Sequence, residues 1–368
     1  MFNEEDKRYM LRALELADLA RGRTSPNPMV GAVIVRAGEI LGEGYHRQAG
    51  TPHAEINAIN AAGGRDLSGA TMYVTLEPCS HYGRTPPCAD ALVKAGLGRV
   101  VIATRDPNPL VAGKGLRILE DAGIEIAVGL LEEQALRLNE VFFKYIQSGK
   151  PFVSLKTAMT LDGKIASFSG DSRWVTGEDA RNYVHQLRNC YDAIMVGIGT
   201  VLADDPQLNT RLAGDDLRDP VRIIIDGQLD LPLDSKIVKT APAQRSIVFT
   251  SHSHDKEKAG ILKAWGLEIV EIGDEPSALP LERVMDKLGN MGICSLLLEG
   301  GAQINAYMLE HHLIDKVYWF IAPKIIGGKT APSPVAGPGI AYMNEAIRLK
   351  QVEIMSFAGD LCLVGYID

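Results

Sequence analysis

The 368-residue chain has no apolar run long enough to cross a bilayer, which excludes a transmembrane helix from the expected architecture. Cysteine is scarce. The five residues are an odd set, and Cys190, Cys294 and Cys362 lie in apolar segments that suit reduced core thiols. That usage argues against a disulfide framework and points to the cytoplasm. A basic excess is also missing. The formal net charge of −8 weighs against a general nucleic-acid or membrane-surface binder, since both need a basic face. A phosphorylated ligand must then be met by local basic groups. No basic, aromatic-laced strip stands out, which weighs further against nucleic acid. Repeats and low-complexity tracts are lacking. The opening Met1-Phe2-Asn3-Glu4-Glu5-Asp6-Lys7-Arg8 reads as a charged helix start rather than a signal peptide. What remains is an ordinary globular composition on a chain long enough to bury two cores.

Helix and strand patterns alternate through the first half. The spacing predicts helices over 9–20, 53–62, 88–95, 116–122 and 131–145, and strands over 29–35, 71–76, 99–103 and 125–128. Gln147-Ser148-Gly149-Lys150-Pro151 is polar, then Gly, then Pro, and is the best linker candidate. Domains are therefore expected over 1–147 and 151–368. In the second, strands are expected at 152–158, 192–197, 221–226, 246–250, 267–272, 294–298, 316–323 and 352–366. A helix over 177–190 follows the capping box Thr176-Gly177-Glu178-Asp179, with Tyr183, Val184, Leu187 and Tyr191 as its buried stripe. The last strands lack long helices between them, so an antiparallel edge is expected.

One imidazole and two thiols stand out: His53-Ala54-Glu55, then Pro78-Cys79, then Cys88. Three such ligands leave a tetrahedral zinc with one open position. Water there acidifies and becomes a nucleophile near neutral pH, and Glu55 is free to move protons. The pattern follows the H-x-E…P-C-x-x-C signature of zinc base deaminases, except that eight residues rather than two separate the cysteines. In the first turn of a helix His53 and Glu55 can both reach past its end. Two helix N-termini would face the metal and favour thiolate. The plain alternative is a structural zinc closed by a fourth protein ligand, for which His81 is available. His46 and His81 are also candidates for substrate contact, against an ordinary surface or hydrogen-bonded role.

In the second half, Gly197-Ile198-Gly199 after a strand is a partial dinucleotide fingerprint. The third glycine is missing, and Asp204-Asp205-Pro206 breaks the helix that should carry a pyrophosphate. A better phosphate cradle is Leu298-Glu299-Gly300-Gly301, a buried strand end, two glycines and a helix from about Ala302 to His311.

Thr24 to Ala32, His53-Ala54-Glu55 and Glu77 to Cys88, with the long cysteine spacing, resemble the bacterial bifunctional riboflavin-biosynthesis deaminase/reductase family. Lys156 to Lys164, Thr200 to Pro206 and Leu298 to Gly301 resemble its reductase half. The resemblance covers nearly the whole chain. It implies an α/β protein of two domains, a cytidine-deaminase-like α/β/α sandwich followed by a dihydrofolate-reductase-like domain. It implies zinc in the first half and NADPH in the second. The expected reactions are deamination of 2,5-diamino-6-ribosylamino-4(3H)-pyrimidinone 5′-phosphate, then reduction of the product's ribosyl group to ribityl. The resemblance assigns NADPH contacts to Ala158, Trp174, Thr200, Asp204, Gly301, Ala302, Gln303, Ile304, Asn305, Ala306 and Tyr307. It assigns substrate contacts to Asn27, Ser172, Arg188, Leu208, Arg211 and Glu299, and it suggests a dimer or tetramer.

Arg188 and Arg211 can chelate a phosphate with bidentate geometry. Glu299 is the nearest candidate for polarising or protonating the sugar. Two other readings stay open at this point. One is a nucleoside or tRNA-base deaminase with a fused nucleotide-binding domain. The other is a zinc-stapled scaffold without chemistry.

Overall fold

The computed structural model describes residues 2–80, 87–108 and 113–368, so His81 lies outside the described residues. The chain divides into two compact units, Met1–Gly149 and Lys150–Asp368. None of the described helices is long and apolar enough to cross a membrane.

In chain order the first unit comprises α1 (Glu4–Asp18), β1 (Gly31–Arg36), β2 (Glu39–Tyr45), α2 (Ala54–Ala61), β3 (Thr71–Leu76), α3 (Cys88–Lys94), β4 (Arg99–Thr104), α4 (Lys114–Asp121), β5 (Glu125–Val128), α5 (Glu132–Leu138) and α6 (Glu140–Ser148). The sheet order is β2-β1-β3-β4-β5; β1 runs antiparallel to its neighbours and β3, β4 and β5 run parallel. Successive side chains alternate between two buried faces. Ala32, Ile34, Met72, Val74, Val100 and Ile102 pack with α2, α3, α4 and α6. Val33, Val35, Tyr73, Val101 and Ala103 pack with α1 and α5. Strands covered on both faces read as continuous apolar runs, which is why β1, β3 and β4 are visible in the sequence.

Strand β2 is not. Its sequence, Glu-Ile-Leu-Gly-Glu-Gly-Tyr, has two glycines where a strand pattern wants bulk. The glycines are there for α2. A Cβ at Gly42 would lie 2.2 Å from the Ala58 carbonyl oxygen, and one at Gly44 would lie 2.4 Å from the Ala58 nitrogen. Helix α2 can therefore sit directly on the strand, and its N-terminus carries His53 and Glu55. The single helix expected over 131–145 is instead α5 and α6, broken at Asn139. Gln147 and Ser148, expected in the linker, belong to α6.

The second unit comprises β6 (Phe152–Thr160), α7 (Glu178–Cys190), β7 (Ala193–Gly197), α8 (Ile198–Asp204), β8 (Val221–Ile225), α9 (Lys236–Lys239), β9 (Ser246–Thr250), α10 (Lys256–Ala264), β10 (Glu268–Glu271), α11 (Leu281–Asn290), β11 (Ser295–Leu298), α12 (Ala302–Glu310), β12 (Lys316–Ala322), β13 (Leu349–Phe357) and β14 (Asp360–Ile367). The sheet order is β10-β9-β8-β7-β11-β6-β12-β14-β13. Strands from β10 to β12 are mutually parallel, and β14 runs antiparallel to both its neighbours. The strand expected over 352–366 is a hairpin, turned by Ala358 and Gly359 at φ 48° and 106°. Helices α8, α9 and α10 cover one face and α11 and α12 the other, while α7 packs on Leu297, Tyr318 and Phe320.

The capping box expected before α7 does not form. Gly177 is the N-cap, and its N–H donates to the Asp360 carboxylate at 2.6 Å. Buried residues of α7 include Val184 and Leu187, as expected, and also His185.

Candidate active sites

Three strand-to-helix connections build the first site. His53 is the N-cap residue of α2, with extended backbone and no side-chain cap bond, so its imidazole is free to face outward from the helix end. Glu55 is in the first turn of the same helix and is 3% exposed. Cys79 follows β3, and Cys88 opens α3. His53 Nδ1 is 3.2 Å from Cys88 Sγ and 3.6 Å from Cys79 Sγ, and the Cys88 N–H donates to Cys79 Sγ at 3.3 Å. A tetrahedron with Zn–N about 2.1 Å and Zn–S about 2.3 Å has N–S edges of about 3.6 Å. The donor set therefore fits zinc, with His53 ligating through Nδ1. Among the described residues the cluster is these three groups, and Glu55 stands beside it rather than in it.

The electrostatics follow from burial. Donors from Cys88 hold the Cys79 thiol far below its usual range. Its bond to Cys79 and its burial push the Cys88 thiol up, so the pair gives one thiolate readily. Burial, aided by the Cys79 sulfur, pushes the Glu55 carboxyl up to about 7. A dication at the cluster favours the ionised form of all three groups, adding to the lowering at Cys79 and opposing the rise at Cys88 and Glu55.

A second arm reaches this site from the segment before β1. Asn27 Nδ2 meets His46 Nε2 at 3.2 Å, His46 Nδ1 meets the Pro52 carbonyl at 3.2 Å, and the His46 ring packs edge-on to His53 at 5.4 Å. The segment is fixed by Asn139, which is 1% exposed. Its Oδ1 accepts from the Met29 N–H and its Nδ2 donates to the Met29 carbonyl, both at 2.8 Å.

The second unit contains a cavity of about 430 Å³. Its walls carry six cationic side chains, Lys156, Arg173, Arg181, Arg188, Arg211 and Lys236, against three carboxylates, Asp204, Asp205 and Glu299. This is the local basic ground that an acidic chain needs for a phosphorylated ligand. Glu299, just past β11, accepts from Arg188 Nε at 2.6 Å and Nη2 at 2.9 Å, with Lys156 Nζ at 3.5 Å. Burial pushes its carboxyl up, but Arg188 and Lys156 outweigh that and hold it down at about 2. The wall segment at Gln207 and Leu208 is held from behind, its carbonyls accepting from the buried Arg222 and Gln244.

Beside the cavity, β7 and β11 are parallel neighbours whose following helices, α8 and α12, lead to opposite sides of the sheet. That is a topological switch point, where open α/β sheets bind ligands. Gly300 lies against Thr200 at the start of α8, since a Cβ there would be 3.2 Å from Thr200 Oγ1.

The comparisons with known proteins cover both units. Residues 3–104 match the cytidine and deoxycytidylate deaminase zinc-binding region, and residues 151–363 match the RibD C-terminal domain. The riboflavin biosynthesis protein RibD of Actinobacillus pleuropneumoniae is 47% identical over 98% of this chain and 95% of its own. The chain belongs to the RibD family.

Solved RibD structures agree along the whole length. Acinetobacter baumannii RibD aligns with a TM-score of 0.88 at 40% identity over 99% of both chains. A Thermotoga maritima protein named as a diaminohydroxyphosphoribosylaminopyrimidine deaminase/5-amino-6-(5-phosphoribosylamino)uracil reductase aligns with a TM-score of 0.87 at 38% identity, again over 99% of both. RibD chains join a zinc-binding deaminase unit to an NADPH-dependent reductase unit in riboflavin biosynthesis. Membership displaces both the fused tRNA-base deaminase and the inert scaffold.

Of the expected reductase residues, Ser172, Trp174, Arg188, Thr200, Asp204, Leu208, Arg211 and Glu299 line the cavity. Ala158 and Gly301 to Tyr307 do not. On α12 the Asn305 amide donates to the Pro334 carbonyl at 2.8 Å and the Tyr307 hydroxyl to Glu282 at 3.0 Å, so those side chains are engaged elsewhere. Two expectations need correction. Arg188 does not present an open fork, because Glu299 occupies it. Glu299 is poorly placed to supply a proton, because Arg188 and Lys156 hold its carboxyl well below the usual range. The sequence reading missed His185, Arg173, Arg181 and Lys236 on the walls, and quoted Lys156 without a role. For His185 the available signal was its place one turn before Arg188 on the buried side of a helix.

Proposed function

We propose that residues 1–147 deaminate 2,5-diamino-6-ribosylamino-4(3H)-pyrimidinone 5′-phosphate, and that residues 151–368 reduce the ribosyl group of the resulting 5-amino-6-(5-phosphoribosylamino)uracil to ribityl with NADPH. The observation that carries the first half is Glu55, buried in the opening turn of the helix that His53 caps, beside a cluster whose spacing suits zinc. His53 Nδ1, Cys79 Sγ and Cys88 Sγ hold the metal, which when bound makes water a nucleophile near neutral pH. Glu55 would accept one proton from the attacking water and pass it to the ring nitrogen next to the amine-bearing carbon. It would then take the second proton from the new hydroxyl on that carbon and deliver it to the amine, which leaves as ammonia as the C–N bond breaks and the carbonyl forms. Asn27, backed by His46 and held through Met29 by Asn139, contacts the pyrimidine.

In the second half the β7/β11 crevice would hold NADPH, which supplies the hydride. The N-terminus of α12, where Gly301, Ala302, Gln303 and Ile304 lie before the first intrahelical bond from Asn305, would hold its phosphates, with Asn305, Ala306 and Tyr307 following on the same helix. Ala158, Trp174, Thr200 and Asp204 complete its contacts. Ser172, Leu208 and Arg211 bind the phosphorylated sugar, with Arg188 and Glu299 acting as a fixed pair at its edge. Hydride transfer then depends on holding donor and acceptor carbons in register more than on a special side chain. The chain works in the cytoplasm as a homo-oligomer, a dimer or tetramer. The open edge strand β13, with Val352 48% and Ile354 69% exposed, supports a second copy as partner.

The test is Glu55→Gln. It keeps zinc by metal analysis, loses ammonia release, and still oxidises NADPH when given the deaminated pyrimidine. Unchanged ammonia release would remove Glu55 from the mechanism.

A further inference from the structure

The two arginines of the reductase cavity are backed differently. Arg188 gives Nε and Nη2 to the Glu299 carboxylate and Nη1 to the Asn209 carbonyl, so its charge is paired and three of its five N–H groups are used. Lys156 shares Glu299, and Lys236 faces Asp205 at 3.6 Å. Arg211 differs. Its Nε donates to His185 Nε2 at 3.3 Å, its main-chain N–H faces His185 Nδ1 at 3.3 Å, and among the described residues no carboxylate forms an ion pair with it and neither Nη finds a protein acceptor. The edge that a phosphate can take with two parallel N–H bonds is thus left open.

We propose that His185 is a positioning residue for the reductase substrate: its imidazole accepts from Arg211 Nε and aims the open Nη edge of Arg211 at the substrate phosphate. This rests on the reading that the cavity takes a phosphorylated pyrimidine. The choice of imidazole has a physical reason. A carboxylate in its place would orient the guanidinium equally well but would cancel its charge, as Glu299 does for Arg188. A neutral imidazole orients without cancelling. It has one lone pair, and the charged guanidinium is the stronger claimant on it. The other ring nitrogen then carries the proton, and the ring has a main-chain hydrogen bond with Asn209. Burial, with Arg188 and Arg211 adding to it, pushes His185 down to about 4, so the ring stays an acceptor at neutral pH. Helix α7 supplies the geometry, because His185 and Arg188 are one turn apart on its buried side.

The experiment uses the full-length chain, the deaminated pyrimidine and NADPH, with inorganic phosphate as competing probe. His185→Leu should raise both the substrate KM and the phosphate inhibition constant about tenfold or more, the weight of one hydrogen bond to a charged group, with kcat within about twofold. His185→Gln, whose amide oxygen can accept from Nε, should recover most of the loss. His185→Glu should not, although it too can accept. NADPH fluorescence checks that each variant retains a folded reductase unit; if His185→Leu does not, the Gln-against-Glu comparison decides. Equal behaviour of Gln and Glu would overturn the proposal. So would a fall in kcat at unchanged KM, or unchanged constants in His185→Leu alongside raised ones in Arg211→Ala. Unchanged constants in Arg211→Ala itself would instead remove the phosphate reading on which the proposal rests.

Discussion

Glu299 holds Arg188 and Lys156 together with only 5% of its side chain exposed. Replacing it by Gln leaves two cations facing a neutral amide in a half-dry cavity. A loss of about 3–5 kcal/mol is expected, because a buried partner is removed rather than the whole set. Denaturant unfolding followed through NADPH binding checks this. Asp6 makes the corresponding case in the first unit. Burial raises its carboxyl, but Arg99, the Asn3 N–H and Tyr73 outweigh that and hold it below the usual carboxylate range. Its contribution is therefore complete above the unfolded value of about 4 and is lost as pH falls through the lower folded value. The stability gap between wild type and Asp6→Asn should be constant near neutrality and shrink below about pH 4. Residue identities at the zinc cluster were legible because that chemistry admits few residue types at short spacings. His185 was not, since one histidine on an amphipathic helix looks like any satisfied core group until Arg211 is placed beside it.

Among the elements, the break between α5 and α6 matters most to the first site. Asn139 ends one helix and begins the next while binding both main-chain groups of Met29. Asn139→Leu should cost about 1–3 kcal/mol, the penalty of leaving buried polar groups unpaired. It should also weaken pyrimidine binding through Asn27, read as a raised KM for ammonia release with zinc content unchanged. A periodicity of 3.6 continues on both sides of such a break, so the pattern alone merges the two helices. The same blindness affected β13 and β14, because apolar residues continue on both sides of the Ala358-Gly359 turn. Strand β2 was hidden for another reason: its glycines answer to α2 packing above it, which only the tertiary structure supplies. Strands buried on both faces were the legible ones, because their apolar runs have no other reading at that length.

At the scale of the molecule, each unit has its own sheet and its own buried clusters. Residues 150–368 alone should fold and shift NADPH fluorescence; a fragment that binds no NADPH would count against the boundary or the cofactor site. The order of the two reactions is the central claim. It is tested most directly by giving the intact chain the diaminopyrimidine phosphate with and without NADPH while following ammonia and NADPH separately. The account predicts ammonia release at the same rate in both cases, with NADPH oxidised only after a lag and never exceeding the ammonia formed. NADPH oxidation that begins before ammonia appears, or ammonia release that requires NADPH, would contradict it.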